Sequence, residues 1–571
     1  MSIPRNEHPN PQFRRDGFVN LNGQWDFEFD FGNSQIADEM CAREKFSKEI
    51  TVPFCPESEL SGIGYKDFIP AVWYRRKFEI TSAQLEGRVF ICFGAVDFTA
   101  NVYINGKKAG THHGGYTSFR FDITDLLTPG ENTVVVNAVD DTRSPYQATG
   151  KQSEELYSHG CHYTRTTGIW QTVMLEFTPK SYIESFRLYP DAANSALGVQ
   201  VKVCGKGTLT VSASYEGRDA GSFTKTAEND VTGEIALSET HLWEAGNGRL
   251  YDLELKFGDD VVHSYFGLRD LALDGYKFLI NGKSVFQRLV LDQGFYPDGI
   301  YTAPDEQALI NDIKISMDAG FNGARLHQKV FEPLFLYHCD RLGYLAWGEY
   351  PNWGLDYSDA KVTDVVAREW IEALDRDFNH PSIVGWCPFN ETWNYAGREQ
   401  RDELLETVYK ITKACDSTRP CIDTSGNYHV ITDIYDKHDY EQSVEIFSQR
   451  YADFENGGKF HDPVNERQDI EYADDRPVFV SEYGGIRWAM DESDQKAWGY
   501  GNGPKTPEEY IERYRGLTNA LLDNGKMFGF CYTQLYDVEQ EQNGVYTYAR
   551  GIKFDPAIFK EINSRKAKIE D

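Results

Sequence analysis

No stretch of the chain carries about 18 or more consecutive apolar residues, so no membrane-spanning helix is expected. The opening MSIPRNEHPNPQFRRDG has no apolar signal core, which leads us to expect a cytoplasmic protein. Positive charge is scarce: 58 Lys and Arg stand against 89 Asp and Glu, a net charge of −31. Phosphate backbones bind basic surfaces, so nucleic acid is excluded as a partner. The ten cysteines are scattered, with no CxxC or similar metal spacing, and neither a metal centre nor a cofactor is expected. Cys92 in VFICFGA and Cys531 in GFCYTQL lie in apolar runs, the setting of buried reduced thiols. Internal repeats, low-complexity tracts and flexible linkers are missing as well.

Aromatic residues are plentiful, with 34 Tyr and 11 Trp. Most serve cores, but a surplus also suits a carbohydrate partner, because sugar C–H faces pack on rings. At 571 residues the chain is too long for a single core and divides into about three or four domains. The first part, 1–180, alternates with period two: in GQWDFEFD, Trp25, Phe27 and Phe29 share one face. Turn dipeptides at Asn105–Gly106 and Pro129–Gly130 separate short strands such as FTANVYING and NTVVVNAVD. This reads as a β-sandwich. A second all-β stretch, 181–270, has the size of an immunoglobulin-like sandwich. Trp73 and Tyr116 read as core residues of the first sandwich.

From 271 to 571 strands and helices alternate. Eight candidate strands can be counted: FQRLVLD, GFNGARLH, GYLAWGE, IVGWCPFNE, PCIDTSG, DIYDKHDY, PVFVSEYGG and MFGFCYTQL. In DEQALINDIKISMDAG, the residues Leu309, Ile310, Ile313 and Met317 fall on one helical face, ended by Gly320. Eight such units in this length fit a (β/α)8 TIM barrel. The fourth strand ends in Asn390 and Glu391, the seventh in Glu482 and Tyr483. An acid at Glu391 also suits a helix N-terminus. Two strands that both end in carboxylates, facing one barrel mouth, favour chemistry instead. One carboxylic acid protonates a leaving oxygen while the other carboxylate attacks the anomeric carbon.

The stretches VWYRRKFEI (72–80), HHGGYTSFRFDIT (112–124), YTRTTGIWQTV (163–173), NHPSIVGWCPFNE (379–391) and VSEYGG (480–485) resemble glycoside hydrolase family 2, which includes β-galactosidases and β-glucuronidases. The resemblance implies a jelly-roll-like sugar-binding domain, an immunoglobulin-like domain and a catalytic TIM barrel. It implies that Glu391 is the acid/base, Glu482 the nucleophile, and Asn390 the partner of the sugar 2-hydroxyl. The expected partner is a carbohydrate with a terminal β-linked sugar, and self-association is left open. A non-catalytic carbohydrate-binding protein is the rival from another class; retention of both acids argues against it.

The sequence also departs from the best-known members. Asp292 stands where a His is expected, His327 or Gln328 where a different pattern ends the second strand, and Glu349 lacks the His that accompanies it in Mg²⁺-binding members. Tyr532 and Gln534 stand where a Trp forms the floor of the sugar site. An Asn-x-Lys clamp for uronates is matched by Asn543 but has Val545 at the Lys position, leaving Lys329 or Arg550 as substitutes. Asp292 and Val545 together point to a neutral sugar, β-galactoside first, with β-glucoside, uronide and arabinoside as alternatives. His438, Tyr440, Glu349, His327, Asp292, Gln534 and Asn543 are the candidate sugar-binding residues, with Tyr483 or Tyr440 donating to Glu482. Partial burial near Trp386 or Trp393 is expected to favour the protonated form of Glu391.

Overall fold

The computed structural model describes residues 3–392, 397, 399–458, 460, 476–491 and 496–570. In the first sandwich, Lys48–Val52, Gly23–Phe29, Ala71–Ile80, Gly130–Val139, Thr99–Ile104 and Lys107–His113 follow one another in a six-stranded sheet. A four-stranded sheet, Val19–Asn20, Val173–Thr178, Arg88–Phe93 and Phe119–Asp122, covers it. Trp25 and Phe27 are buried in the cluster between them, and Phe29 packs at its edge, as period two requires. Trp73 and Tyr116 are buried, but outside that cluster: Trp73 packs with Met40 and Phe46, and Tyr116 joins the core of the barrel.

The second domain is built around one long strand, Ala196–Tyr215. Its register breaks between Lys202 and Lys206. The half before the break pairs with Tyr182–Asp191 and the half after it with Tyr251–Phe257. One strand thereby serves two layers, and Leu188, Val199 and Val201 enclose a core with Val211, Leu253 and Leu255.

Among the described residues, seven parallel strands form the barrel wall: β1 (Gln287–Asp292), β2 (Gly323–Leu326), β3 (Leu345–Glu349), β4 (Ile383–Cys387), β5 (Tyr435–Asp439), β6 (Val478–Gly484) and β7 (Met527–Thr533). They run in the order β4-β3-β2-β1-β7-β6-β5. Most are wholly buried, as strands covered on both faces must be. The first helix, α1 (Glu306–Asp318), begins where the Asp305 carboxylate accepts from Ala308 N at 2.8 Å. Leu309 and Ile313 bury its inner face. Gly320 ends the segment at φ +83°, and a Cβ there would lie 2.9 Å from Lys560 Cα.

The expected strand PCIDTSG does not form a full strand. It joins β4 only through isolated parallel bridges, Trp386 to Cys421 and Asn390 to Ser425. The cause lies in its own side chains. The Asp423 carboxylate accepts from the backbone of Thr424, Val430 and Ile431, so local bonds displace the ladder. The segment still fills the wall between β4 and β5.

A loop of the first sandwich reaches the barrel. Thr149 N donates to Trp353 O at 2.9 Å, Gly150 N to Pro351 O at 3.1 Å, and the Tyr163 hydroxyl to Glu541. Among the described residues, no helix is long and apolar enough to cross a membrane.

Candidate active site

Beyond the end of β4 the chain is pinned to the neighbouring segment. Ser425 N donates to Phe389 O at 2.9 Å and Glu391 N donates to Ser425 O at 2.8 Å. Glu391 itself has φ +48°, a left-handed conformation that costs a non-glycine residue about 1–2 kcal/mol. Strain at this residue is held by the bridges around it. On the opposite side, the ladder between β5 and β6 shifts register between Lys437 and His438, and that between β6 and β7 between Val480 and Tyr483. Such bulges re-aim side chains at strand ends. They turn His438 and Glu482 towards Glu391.

His438 Nδ1 lies 2.7 Å from Glu391 Oε1 and 3.4 Å from Glu482 Oε2. One carboxylate oxygen of each glutamate lies within 4.8 Å of the other's. Burial works against charge on His438, but Glu482 and Glu391 outweigh it, and its pKa is raised. The far ring nitrogen, Nε2, meets Ser425 Oγ at 3.0 Å. Glu482 also receives the Tyr440 hydroxyl, and Arg325 Nη1 at 3.1 Å. Tyr440 is fixed by Thr533 Oγ1 at 3.1 Å and by stacking on Tyr500.

Arg325, on β2, organises the floor. Its Nε pairs with Glu349 Oε1 at 2.6 Å and its Nη2 donates to Asn390 Oδ1 at 3.0 Å. Burial disfavours the cation, yet Glu349 and Glu482 hold its pKa well above the ordinary arginine value. Removing one partner of a buried ion pair leaves uncompensated charge, a loss of about 3–5 kcal/mol. Arg325→Met should therefore lower the unfolding free energy by about that amount, read from the urea midpoint. A loss below about 1 kcal/mol would mean that Glu349 and Glu482 do not depend on this cation. The Asn390 amide has its oxygen occupied while Nδ2, buried, has no partner among the described residues. A buried open donor in the mouth suits a sugar hydroxyl.

Several sequence expectations change at this point. Tyr483 does not serve Glu482: its hydroxyl meets Thr518 Oγ1 at 2.8 Å and its ring packs on Phe530 and Tyr532 in the layer behind the barrel. Tyr440 is the donor. Asp292 accepts from Gly294 N at 2.9 Å and the Tyr536 hydroxyl at 2.6 Å, with one oxygen serving both. Burial and the nearby Asp312 push it up to about pKa 6. Through that oxygen it orders the β1 loop, so part of its charge is engaged by the protein itself. Glu349 is closed off between Arg325 and His327, whose Nδ1 lies 2.9 Å from Oε2. Burial, first, and then Lys151 depress the His327 pKa well below its usual value, so this ring is neutral.

Gln534 donates to Asn543 Oδ1 and accepts from Gln293, both at 2.8 Å, while Asn543 Nδ2 reaches Glu541 Oε1 at 3.0 Å. The pair is thereby tied into one buried network with Gln293 and Glu541. Tyr532 bonds Tyr510 in the outer layer, and Val545 is buried. Trp386 points to the helices, its Nε1 2.8 Å from Asp416 Oδ2, so it does not tune Glu391; Trp393 lies outside the described residues. Neither proposed clamp cation is open. Lys329 donates to Gly294 O and Tyr301 O, and burial lowers its pKa to about 7. Arg550 is paired with Asp312.

Four residues at the mouth escape a strand-by-strand reading: Arg325, Lys151, Trp353 and Glu541. A lone Arg inside the apolar stretch GFNGARLH is the one legible signal, because a buried guanidinium demands carboxylates around it. Lys151 and Trp353 lie on loops, where no periodicity marks them.

Three family models match consecutive parts of the chain. Residues 18–179 match the family 2 glycosyl hydrolase sugar binding domain, 181–269 the second family 2 domain, and 271–493 the family 2 TIM barrel domain. The chain belongs to glycosyl hydrolase family 2. It is a glycoside hydrolase with the three-domain architecture expected from its sequence. The β-glucuronidase of Rattus norvegicus is 24% identical over 526 residues, 81% of this chain and 77% of its own. A β-galactosidase of Thermoanaerobacter pseudethanolicus is 24% identical over 456 residues, 76% of this chain and 56% of its own, so the match spans little more than half of that enzyme. The Bifidobacterium dentium β-glucuronidase structure superposes with a TM-score of 0.82 at 19% identity, covering 97% of this chain and 98% of that one.

Proposed function

We propose that this family 2 hydrolase is a retaining exo-β-glycosidase that removes a terminal β-linked uronic acid. The observation that carries the reaction type is the proximity of Glu391 and Glu482, whose nearest described oxygens lie within 4.8 Å. Retaining enzymes place their carboxyl groups about 5–5.5 Å apart, while inverting ones leave about 6.5–9.5 Å for a water molecule. In the first step Glu482 attacks the anomeric carbon and the bond to the leaving oxygen breaks as Glu391 gives that oxygen its proton. A glycosyl ester on Glu482 results. In the second step Glu391 takes a proton from water, the water oxygen attacks the same carbon, and Glu482 is released. Asn390 Nδ2 donates to the sugar 2-hydroxyl throughout, and that bond strengthens as positive charge develops on the ring.

Support for a uronic acid comes from the β-glucuronidase names of the rat and Bifidobacterium relatives. A second reading, β-galactoside, has one specific observation in its favour. Glu541 is a buried carboxylate beside the mouth, accepting from Tyr163 and Asn543, and an anion there favours hydroxyl donors over a second carboxylate. A panel of p-nitrophenyl β-glycosides separates the two: the glucuronide or galacturonide should turn over at least about a hundredfold better in kcat/KM than the galactoside, about 2.7 kcal/mol. The reverse order would establish the second reading. The first-formed sugar, followed by proton NMR, should be the β anomer; initial α product would remove the double displacement.

A further inference from the structure

One cation at the mouth is not tied to a carboxylate. Lys151 belongs to the first sandwich, and only 6% of it is exposed. Its Nζ lies 3.9 Å from the ring centroid of Trp353, and Trp353 Nε1 donates to Asn390 O at 3.1 Å, next to Glu391. Among the described residues, Lys151 makes no side-chain hydrogen bond and no ion pair. Burial works against its charge, but the surrounding acidic groups, Glu541 and Glu482 among them, outweigh that and raise its pKa. The nearby carboxylates have donors of their own: Glu541 takes Tyr163 and Asn543, and Glu482 takes Tyr440 and Arg325. The other cations named for such a role are engaged elsewhere, Lys329 on backbone carbonyls and Arg550 on Asp312.

The backbone fixes this position. Gly150 has φ +56°, and a Cβ on it would come within 2.3 Å of Gln328 O. The loop therefore presses directly on the barrel, and Lys151 O accepts from Tyr163 N at 2.7 Å on the strap that carries Tyr163 to Glu541. A lysine held in a buried position without a polar partner is costly unless a ligand supplies one.

We propose that Lys151, delivered across the domain boundary by the first sandwich, is the residue that recognises the carboxylate of a terminal uronic acid. The inference rests on the uronic acid reading above. Its structural content is that the first domain contributes to sugar choice in the barrel, with Trp353 as the ring against which the lysine is set. A lysine acts on a carboxylate as a point charge with three donors, so arginine can replace it in charge but not in shape.

The test compares p-nitrophenyl β-D-glucuronide and β-D-galacturonide with the matching glucoside and galactoside, for the wild type, Lys151→Met and Lys151→Arg. Lys151→Met should reduce the uronide-to-neutral ratio of kcat/KM at least about a hundredfold, about 2.7 kcal/mol. The loss should fall mainly on KM, and Lys151→Arg should recover part of it. A ratio unchanged by Lys151→Met overturns the proposal. If that variant does not fold, the charge is removed from the other side. The wild type should then prefer the free glucuronide over its methyl ester by at least about a hundredfold, and equal rates overturn the proposal. A wild type that cleaves neutral glycosides but no uronide also overturns it, while the glycosidase reading stands. A wild type that cleaves no glycoside of the panel overturns both.

Discussion

Glu482→Ala should reduce turnover of an activated aryl glycoside by about five orders of magnitude, about 7 kcal/mol of barrier. Azide should then restore part of it by forming a glycosyl azide of inverted configuration. The size follows from the loss of a covalent step: without Glu482 no side chain of the described mouth is placed to attack the anomeric carbon opposite Glu391. Glu349 cannot take over, because Arg325 and His327 occupy both its oxygens. The configuration follows from the side that is vacated. Azide enters the cavity left by the carboxylate, on the face away from the leaving group, and one displacement inverts. A glycosyl azide of retained configuration would place the vacancy on the leaving-group side and exchange the roles of Glu482 and Glu391. The same substitution also frees Arg325 and Tyr440 from a partner, so folding should be checked by urea unfolding before rates are compared.

The strand ends explain which parts of this site the sequence could reveal. Apolar runs closing in Asn390–Glu391 and in Glu482 marked two walls of one mouth, because a charged residue at the end of a wholly buried strand needs a reason. The direction of the next side chain was not legible. A register shift between Val480 and Tyr483 sends Tyr483 into the layer behind the barrel, and one between Lys437 and His438 brings His438 between the glutamates. Since side-chain direction alternates residue by residue, a single bulge exchanges inside for outside. Asp292 shows a related effect of side-chain direction. A strand-end acid can turn back onto its own loop, as this one does through Gly294 N. Lys151 could not be found by any local pattern, because its place depends on the docking of one domain on another. The fold carried more redundancy. Each sandwich has many alternating strands, and the loss of a full fifth barrel strand at PCIDTSG left the architecture intact.

The role of Glu391 predicts how its removal depends on the leaving group. Glu391→Ala should slow a substrate with an alkyl or sugar leaving group by about three to four orders of magnitude, within the usual contribution of general acid catalysis. A 2,4-dinitrophenyl glycoside should show almost no loss in its first step, because that phenolate departs without a proton. Its second step still needs a base, so the glycosyl-enzyme should accumulate and a burst of dinitrophenol should precede a slow steady state. Azide, needing no deprotonation, should speed that steady state and give a glycosyl azide of retained configuration, the counterpart of the inverted product from Glu482→Ala. The single residue can serve both steps because forming the ester on Glu482 removes a negative charge from beside it and favours release of the Glu391 proton, while breaking the ester restores that charge and favours its uptake. His438, bonded to Glu391 and close to Glu482, stands where it senses that change. Equal losses for alkyl and dinitrophenyl glycosides, with no burst, would show that Glu391 is not the general acid and would leave its left-handed backbone as a structural feature alone.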